Sequence, residues 1–518
     1  VTHTGVITAD TTSDLVTATA GNIELHANTT VELKGDATIS AVAETSGTGG
    51  KVKVLGTNVG LLDNSVIDVS GANGGGEALI GGDRQGLNAK VRNADFLYMS
   101  ENAKVFADGL NNGNGGRIIT YANDTGRFYG NLYARGGAEG GDGGFIETSG
   151  KKGFEILNAP DVSAINGDGG LWLIDPFDII IQASGVPATY TLDTSGPAAD
   201  RYIASAIGAT IDIAVIKTAL ASGDIDVWTD NASSGGDLGN ITFNADLDIN
   251  TIGTGNRLRL YAFNNIVFSN GSSISDSVAG GDNLNLELYA NRGRATDAAS
   301  SGSGTGSITL GDNVSINTYG SDFYAEGIDF TSSATSSINV GAGSIDLDGI
   351  TGAANLGNLT ATNSGGSDLF VRNATSISQQ ANTVISNAGR TYLGGLPTTS
   401  IVLDKSNGLL NNSFLGTVSL NASTATIIAS GNINLFPDSV INGNLSLQST
   451  NGGEISSTGK LTVANGTNDA VATFNTAGDV TFTADNNFNR VSLLNAGTVS
   501  ITDTVGNIAL SANSAANT

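Results

Sequence analysis

Two pairs of aspartates are the residues whose type and spacing most resemble catalytic carboxylates. The pairs are Asp224/Asp226 and Asp346/Asp348. Each pair occupies positions i and i+2 of a strand-like segment, so its two carboxylates share one face of the strand. Hydrolysis of polysaccharides uses such clustered acids, usually beside a basic group. Because no Arg or His column accompanies these acids, we interpret them as a solvated face and predict that the protein is not an enzyme.

Glycine-rich loops with a single aspartate are the second candidate for chemistry. They are the segments 140–144 and 166–170, both rich in glycine and each with one Asp. Calcium needs several converging carboxylates and carbonyls, and the known glycine-rich calcium repeats recur every nine residues. Neither condition holds here, so we interpret the loops as corner turns. Calcium remains the one cofactor considered, and no other is predicted.

Aromatic side chains concentrate between residues 96 and 177, and most are expected in the core. Phe128 and Tyr129 are adjacent, so one of them is expected to face outward. An exposed aromatic beside Arg127 and Arg135 is suited to a sugar ring or to a neighbouring molecule. We therefore predict a ligand-binding or self-contact surface formed by Arg127, Phe128, Tyr129 and Arg135.

The composition excludes several classes of function. The 518 residues include 49 acidic and 23 basic side chains, a net charge of −26, which disfavours nucleic-acid binding. The chain has no cysteine and only two histidines, so disulfides, thiolate catalysis and Cys-based zinc sites are excluded. No apolar run approaches the ~18 residues of a membrane-spanning helix, and no transmembrane segment is predicted.

Two repeats organise the elements that would position these residues. The first is a five-residue pattern: Gly, then any residue, then a β-branched residue or Leu, then any residue, then an apolar residue. It begins at Gly21, Gly239, Gly306, Gly343, Gly416, Gly431, Gly443, Gly459, Gly478, Gly497 and Gly506. The second is a glycine pair that opens a strand, at Gly49–Gly50, Gly75–Gly76, Gly115–Gly116, Gly143–Gly144 and Gly169–Gly170. Repeats of this length that never become helical are typical of a solenoid of strands.

The predicted fold class is therefore all-β, a parallel β-helix in which each strand pairs with the strand one coil away. Alternation places Ile, Val, Leu and Phe inward and Thr, Ser, Asn and Asp outward. Glycine and asparagine before each strand fit corners that need positive φ or close backbone approach.

One segment interrupts the pattern. Four of the six prolines, Pro160, Pro176, Pro187 and Pro197, precede a predicted short helix near 210–222. Its apolar stripe is Ile211, Val215, Ile216, Ala219 and Leu220, with Thr210 as its cap and Gly223 at its end. We predict three sections: 1–175 with glycine-pair corners, 176–223 as an excursion that packs back onto the solenoid, and 224–518 with the Gly-x-Ile-x-Leu repeat.

An ordered series of motifs within residues 47–250 resembles the filamentous haemagglutinin-like exoproteins of the two-partner secretion pathway. The series consists of Gly60-Leu61-Leu62-Asp63, Ile67-Asp68-Val69-Ser70-Gly71, Gly75-Gly76-Glu77-Ala78-Leu79-Ile80-Gly81-Gly82-Asp83-Arg84-Gln85-Gly86, Asn112-Gly113-Asn114-Gly115-Gly116-Arg117-Ile118-Ile119, Gly126-Arg127-Phe128-Tyr129-Gly130, Ala134-Arg135-Gly136-Gly137, Gly143-Gly144-Phe145-Ile146-Glu147-Thr148-Ser149-Gly150-Lys151 and Trp172-Leu173-Ile174-Asp175-Pro176-Phe177-Asp178-Ile179.

The resemblance implies a right-handed parallel β-helix that a Gram-negative bacterium exports through an outer-membrane partner, to serve as an adhesin or matrix fibre. Localisation would then be secreted or at the cell surface. The Asn-Pro-Asn motifs typical of the family's N-terminal secretion domain are missing, since no Pro follows Asn. We expect this chain to lack that domain or to start after it.

The function predicted from the sequence is a structural and adhesive exoprotein, forming an extracellular fibre or cell-surface filament for adhesion or biofilm matrix. The first alternative is a carbohydrate- or receptor-binding module with a glycan or host-surface ligand. The second is a polysaccharide-degrading β-helix enzyme. Both termini fall within the strand pattern, so we expect either further chain or self-association, end to end or laterally.

Overall fold

The computed structural model of the chain describes residues 1–13, 15–183, 201–202, 209–230, 238–249, 255–276, 284–293, 304–404, 411–503 and 509–510. These residues fall into two units. The first is Val1–Asn264 with Arg292–Ser303, and the second is Asn265–Asn291 with Gly304–Thr518.

The first unit is a stack of short parallel strands. Its largest group of strands comprises Thr2–His3, Asn22–His26, Thr30–Leu33, Lys51–Leu55, Asn58–Leu61, Glu77–Ile80, Ala94–Met99, Arg117–Phe128, Phe145–Gly150, Gly153–Ile156, Gly170–Ile174, Gly223–Trp228 and Arg257–Tyr261. A second sheet contains Val6–Thr8, Thr38–Ser40, Val66–Asp68, Lys104–Phe106 and Asn131–Tyr133. The remaining strands of this unit are Ile179–Gln182, Thr210–Asp212, Ile241–Asn244 and Asp246–Asp248.

The register of this stack places one inward side chain of each coil directly over the next. One such column is Ile23, Val52, Ala78, Ile118, Ile146, Trp172, Ile225 and Leu258. Every member is buried. Since full burial of one large aliphatic side chain contributes about 1.5–3 kcal/mol, the column provides a continuous core that a single coil lacks.

The glycine pairs close each coil at a corner. The N–H of Gly116 donates to the Ala107 carbonyl at 2.6 Å, and Gly76 makes the equivalent bond to Val69 at 2.7 Å. A Cβ built on Gly116 would lie 2.2 Å from the Gly76 carbonyl oxygen of the adjacent coil. Of the two reasons for glycine considered from the sequence, close backbone approach therefore applies at these pairs.

The second unit also consists of short parallel strands, which form three groups. One group of strands comprises Asn285–Tyr289, Phe323–Glu326, Ile345–Leu347, Leu369–Arg372, Thr391–Gly394, Thr417–Ala422, Ile433–Leu435, Ser439–Ile441, Ile455–Ser457, Leu461–Val463, Val480–Phe488 and Val499–Asp503. A second group contains Ile266–Phe268, Ile308–Leu310, Phe330–Ser332, Ala353–Leu356, Ser376–Gln379, Ser400–Leu403, Thr424–Ala429, Leu445–Ser449, Val471–Asn475, Arg490–Leu494 and Ala509–Leu510. The third is Ser273–Ser275, Ser315–Asn317, Ser337–Gly341, Asn358–Ala361, Ile385–Asn387 and Ser413–Phe414.

Alternation along these strands follows the Gly-x-Ile-x-Leu repeat. In the strand Ile345–Leu347, for example, the two aliphatic residues are buried and Asp346 between them faces outward. One inward column of the second unit is Ile266, Ile308, Phe330, Ala354, Ile377, Ile401, Ala425, Leu445, Ala472 and Val491. The prediction of an all-β, parallel β-helical fold with one short helix is thus confirmed.

The helix is shorter than predicted and has a different cap. It spans Ile213–Leu220, and the Asp212 carboxylate accepts a hydrogen bond from the Ala214 N–H at 2.8 Å. The predicted cap, Thr210, instead begins the strand Thr210–Asp212, whose pairing with Ile179–Gln182 holds the backbone extended. Gly223 does not end the helix in a left-handed turn, because it opens the strand Gly223–Trp228, where a Cβ would lie 2.3 Å from the Gly170 oxygen.

The apolar stripe of the helix is buried as predicted, through Val215, Ile216, Ala219 and Leu220. Ile211 is also buried, but in the preceding strand. Pro187 and Pro197 of the predicted excursion lie outside the described residues. The section boundaries 1–175, 176–223 and 224–518 stay predictions. No helix among the described residues is long and apolar enough to cross a membrane.

Substituting Gly116 by alanine is expected to destabilise the first unit by about 1–3 kcal/mol, because the new methyl group would overlap backbone atoms that cannot move independently. Urea denaturation measures this change in the free energy of unfolding. The matched control is Gly5→Ala, where the Cβ meets only the His3 ring at an ordinary 3.8 Å. Equal stabilities of the two variants would contradict the close-approach explanation.

Candidate functional site

Three of the four residues predicted to form an exposed surface are buried. The exposed fraction is 2 % for Arg127, 1 % for Phe128 and 2 % for Tyr129. Phe128 points into the core, where its ring lies 5.7 Å from that of Phe154. The expectation that either Phe128 or Tyr129 is exposed at the surface is therefore wrong.

Tyr129 is buried because a distant segment covers it. The strand Arg117–Phe128 ends one residue earlier, and Tyr129 packs against Leu62, Tyr98 and Tyr202. Its hydroxyl donates to Glu155, and burial beside that carboxylate raises the pKa of Tyr129.

The covering segment is itself anchored by polar contacts. The hydroxyl of Tyr202 donates to Glu32 Oε1 at 3.1 Å, and Arg127 donates to the Arg201 carbonyl at 3.2 Å. Nothing in the local sequence around Tyr129 signals a contact with a residue so far along the chain.

The fourth predicted residue, Arg135, lies on a different and accessible surface. Its guanidinium carbon is 4.8 Å from the ring centroid of Tyr133, and that ring stacks on Phe106 at 5.0 Å with the planes 9° apart. Asp108 holds the guanidinium at 2.6 Å and also accepts the Arg135 backbone N–H at 2.8 Å. We call Phe106, Asp108, Tyr133 and Arg135 the Tyr133 face.

The Tyr133 face borders a cavity of about 330 Å³ on the first unit. Asp108, Arg135 and Asp161 supply its charges, and Leu110 and Ile165 supply exposed apolar surface. The Asp108 carboxylate raises the pKa of Arg135, so the guanidinium stays charged. Apolar edges, a flat aromatic stack and oriented charges together suit a polar ligand with a flat apolar side, such as a sugar ring.

A sequence signal for the Tyr133 face existed but was missed. Phe106 and Tyr133 occupy matching positions in successive coils, each ahead of a glycine pair, and pair directly in the sheet. Aligning the glycine-pair repeats would have stacked the two rings. The general expectation that aromatic side chains are buried does not distinguish these two rings from core residues.

The two aspartate pairs have basic partners on the adjacent coil. Arg259 Nε lies 2.5 Å from Asp226 and Arg257 Nε 3.1 Å from Asp224. In the second unit, Arg372 contacts Asp346 at 2.6 Å.

The interpretation of these acids as a purely solvated face is thus wrong, since Asp226 is only 8 % exposed. The missed signal is the match between Asp-Ile-Asp-Val at 224–227 and Arg-Leu-Arg-Leu at 257–260. These carboxylates are arranged as coil-to-coil ion pairs.

The glycine-rich loops stack through their polar side chains. Asn114 Oδ1 accepts the Asp142 N–H at 2.9 Å, and Asp142 Oδ1 accepts the Asp168 N–H at 3.0 Å. Each side chain thus satisfies a backbone donor of the next coil, as a corner turn requires. Among the residues that the structure describes, no group of three or more His, Cys, Asp or Glu side chains is placed to hold a metal ion.

The glycine pairs also line a groove of about 920 Å³ along the first unit. Lys51, Glu77 and Arg117 border it on successive coils. Glu77 pairs with Lys51, and with Arg117 at 3.0 Å, while Arg117 also reaches Asp83 at 2.8 Å. These charges are arranged to hold neighbouring coils together.

A buried carboxyl group lies on the outward side of the strand Phe145–Gly150. Glu147 is fully buried beneath the loop that contains the short 3-10 turn Arg84–Gly86. The backbone N–H of Gln85 donates to both of its oxygens, at 2.9 and 3.1 Å, and Ser149 Oγ lies 2.8 Å from one of them. Burial raises the pKa of Glu147 to about 8, with the Asp175 carboxylate as a second cause.

Comparison of the chain with known protein families and with curated proteins finds no matching family model and no significantly similar protein.

The raised pKa of Glu147 makes the free energy of unfolding depend on pH in a defined direction. The folded protein holds this proton more tightly than the unfolded chain, so the contribution of Glu147 to stability is fully present below about pH 4.5 and is lost as pH rises toward about 8. The expected slope is at most ~1.4 kcal/mol per pH unit. Urea denaturation of Glu147→Gln across this window should show a flatter profile than the wild type.

The control variant is Glu44→Gln, which removes a carboxylate at an exposed position. An identical pH dependence for wild type and Glu147→Gln would contradict the assignment of a buried proton to Glu147.

Proposed function

We propose that this chain is part of a secreted β-helical exoprotein with a structural and adhesive role in an extracellular fibre or cell-surface filament. The observation that carries the proposal is the use of outward charges: Arg117–Glu77, Arg259–Asp226 and Arg372–Asp346 each join neighbouring coils. Side chains committed to stacking coils suit a scaffold. The proposal includes no enzymatic step.

The resemblance to filamentous haemagglutinin-like exoproteins supports this role. Its motifs fall on residues that build the coils: Gly75–Gly76 and Gly115–Gly116 close corners, and Trp172 fills the core column. The motifs that carry the resemblance therefore have a structural reason in this chain. Export through an outer-membrane partner, location at a Gram-negative surface and self-association belong to the same proposal.

The adhesive role predicts binding to surfaces. Beads coated with the purified chain are expected to remain on epithelial or bacterial cell layers under flow several-fold more often than beads coated with an inert protein of similar acidity. The acidic control is needed because a net charge of −26 alone changes bead adhesion. Retention no better than this control on every tested layer would contradict the adhesive part of the proposal.

A second candidate function is glycan binding at the Tyr133 face. The half-buried stack of Phe106 and Tyr133 beside the charged cavity is the observation that favours it. Calcium bridging at the glycine-rich loops remains a subsidiary proposal, tested by adding a chelator to the same assays.

Replacing Tyr133 by alanine is expected to weaken glycan binding at least tenfold, because a sugar ring loses the flat surface on which it stacks. Binding to a glycan array, followed by titration of any ligand found, measures the effect. The control is Tyr319→Ala, which removes a tyrosine that is 42 % exposed on the second unit. Glycan binding that survives Tyr133→Ala unchanged would exclude this face.

A further inference from the structure

One lysine–aspartate pair of the first unit is completely removed from solvent. Lys151 Nζ lies 2.6 Å from Asp175 Oδ2, and the two side chains are 2 % and 1 % exposed. Where the structure describes other lysines of this unit in contact with a carboxylate, the lysine is accessible. Lys152 and Asp124, for example, are 2.8 Å apart while Lys152 is 57 % exposed.

The fold holds the two reacting groups in a fixed relation. Lys151 directly follows the strand Phe145–Gly150, and Asp175 directly follows the adjacent strand Gly170–Ile174. These strands pair in register from Phe145↔Leu171 to Thr148↔Ile174. Beyond them, the Phe177 N–H donates to the Lys151 carbonyl at 2.7 Å. Backbone hydrogen bonds before and after the two residues therefore position the amine and the carboxyl group. This lowers the entropic barrier to a reaction between them.

The surroundings are aromatic and contain a further acid. The Phe177 ring centroid is 5.7 Å from Lys151 Nζ, and Trp172 is fully buried in the same strand that precedes Asp175. Glu147 is close enough to interact electrostatically with both Lys151 and Asp175. Asp230 is a second carboxylate, 4.0 Å from Lys151 Nζ.

A buried ion pair in such a site is costly, because desolvation disfavours both charged forms. Transfer of one proton from ammonium to carboxylate gives a neutral amine in contact with a neutral carboxylic acid. That is the reactive pairing for amide formation. In water the ionised pair dominates and the reaction does not proceed at a useful rate.

We propose that Lys151 and Asp175 condense into an intramolecular isopeptide bond. Lys151 Nζ attacks Cγ of the protonated Asp175 carboxyl group, an N–C bond forms, and one C–O bond breaks. The departing hydroxyl leaves with a proton from the amine as one molecule of water. No oxidant or cofactor is needed, since carbon and nitrogen keep their oxidation states.

Glu147 is the group suited to assist this step, because its partner in the adjacent strand, Leu173, lies two residues before Asp175 and on the same strand face. Burial keeps its proton on at neutral pH, as its raised pKa indicates. A neutral acid beside the pair stabilises the developing charge on the Asp175 oxygen and returns the proton as water leaves.

The bond would join residues of adjacent coils in a chain that has no cysteine. It goes beyond the proposed adhesive role and does not depend on it. A covalent link between coils suits a protein that bears load, because it removes the freedom of that coil to unravel.

The deciding experiment is the intact mass of the purified wild-type chain under denaturing conditions. The proposal predicts a mass about 18 Da below that of the sequence, the loss of one water. Tryptic mapping should then find the peptides that contain Lys151 and Asp175 joined, with no cleavage after Lys151. A folded wild-type protein at the full sequence mass would overturn the proposal, as would a link that maps to Asp230.

Variants identify the two residues that form the bond and distinguish loss of the bond from misfolding. Lys151→Arg and Asp175→Ala are expected to have their full masses, whereas Lys152→Arg, the control beside the exposed Lys152–Asp124 pair, should still lack one water. Glu147→Gln should slow bond formation, seen as a larger uncondensed fraction in freshly purified protein. Complete condensation in Glu147→Gln would show that Glu147 does not assist the reaction. A water loss that persists in Lys151→Arg would refute the assignment of the bond to Lys151.

Discussion

Contact between the backbones of successive coils is the constraint on which the first unit depends. At the glycine pairs the coils approach so closely that a single Cβ would overlap a carbonyl oxygen, 2.2 Å away at Gly116. This approach allows each corner to hydrogen-bond both within its own coil and to the next, as Gly116 and Arg117 do. Because the corner keeps a constant shape, inward side chains remain in register and bury a continuous core.

The outward faces follow from the same register. Side chains on neighbouring coils lie one strand spacing apart, roughly 4.8 Å, which is the reach of an ion pair. A chain with a net charge of −26 thereby places several of its few basic residues against acids of the next coil, as in Arg259 with Asp226. The Lys151–Asp175 pair is such a contact removed from water and placed against Phe177, and in our proposal these surroundings make it reactive.

The sequence predicted the parts of the structure that depend on local periodicity. Alternation and corner glycines identified the strands and the inward columns, because both follow from the two-residue period of a strand. Contacts between distant segments were not predictable in this way. Tyr129 is buried by Tyr202, and the helix begins at Ile213 because the preceding residues pair with a remote strand. The partners Arg257 and Arg259 were predictable in principle, but only after the coils had been aligned.

Hydrogen–deuterium exchange at the corner amides tests the central claim, that glycine pairs are hydrogen-bonded parts of the coil ladder. The amides of Gly76, Gly116 and Gly144 donate to carbonyls 2.6–2.7 Å away within their coils. The account predicts that they exchange as slowly as the buried strands beside them, orders of magnitude slower than in an unstructured peptide of the same sequence. Exchange at the unstructured rate, while the neighbouring strands remain protected, would contradict it.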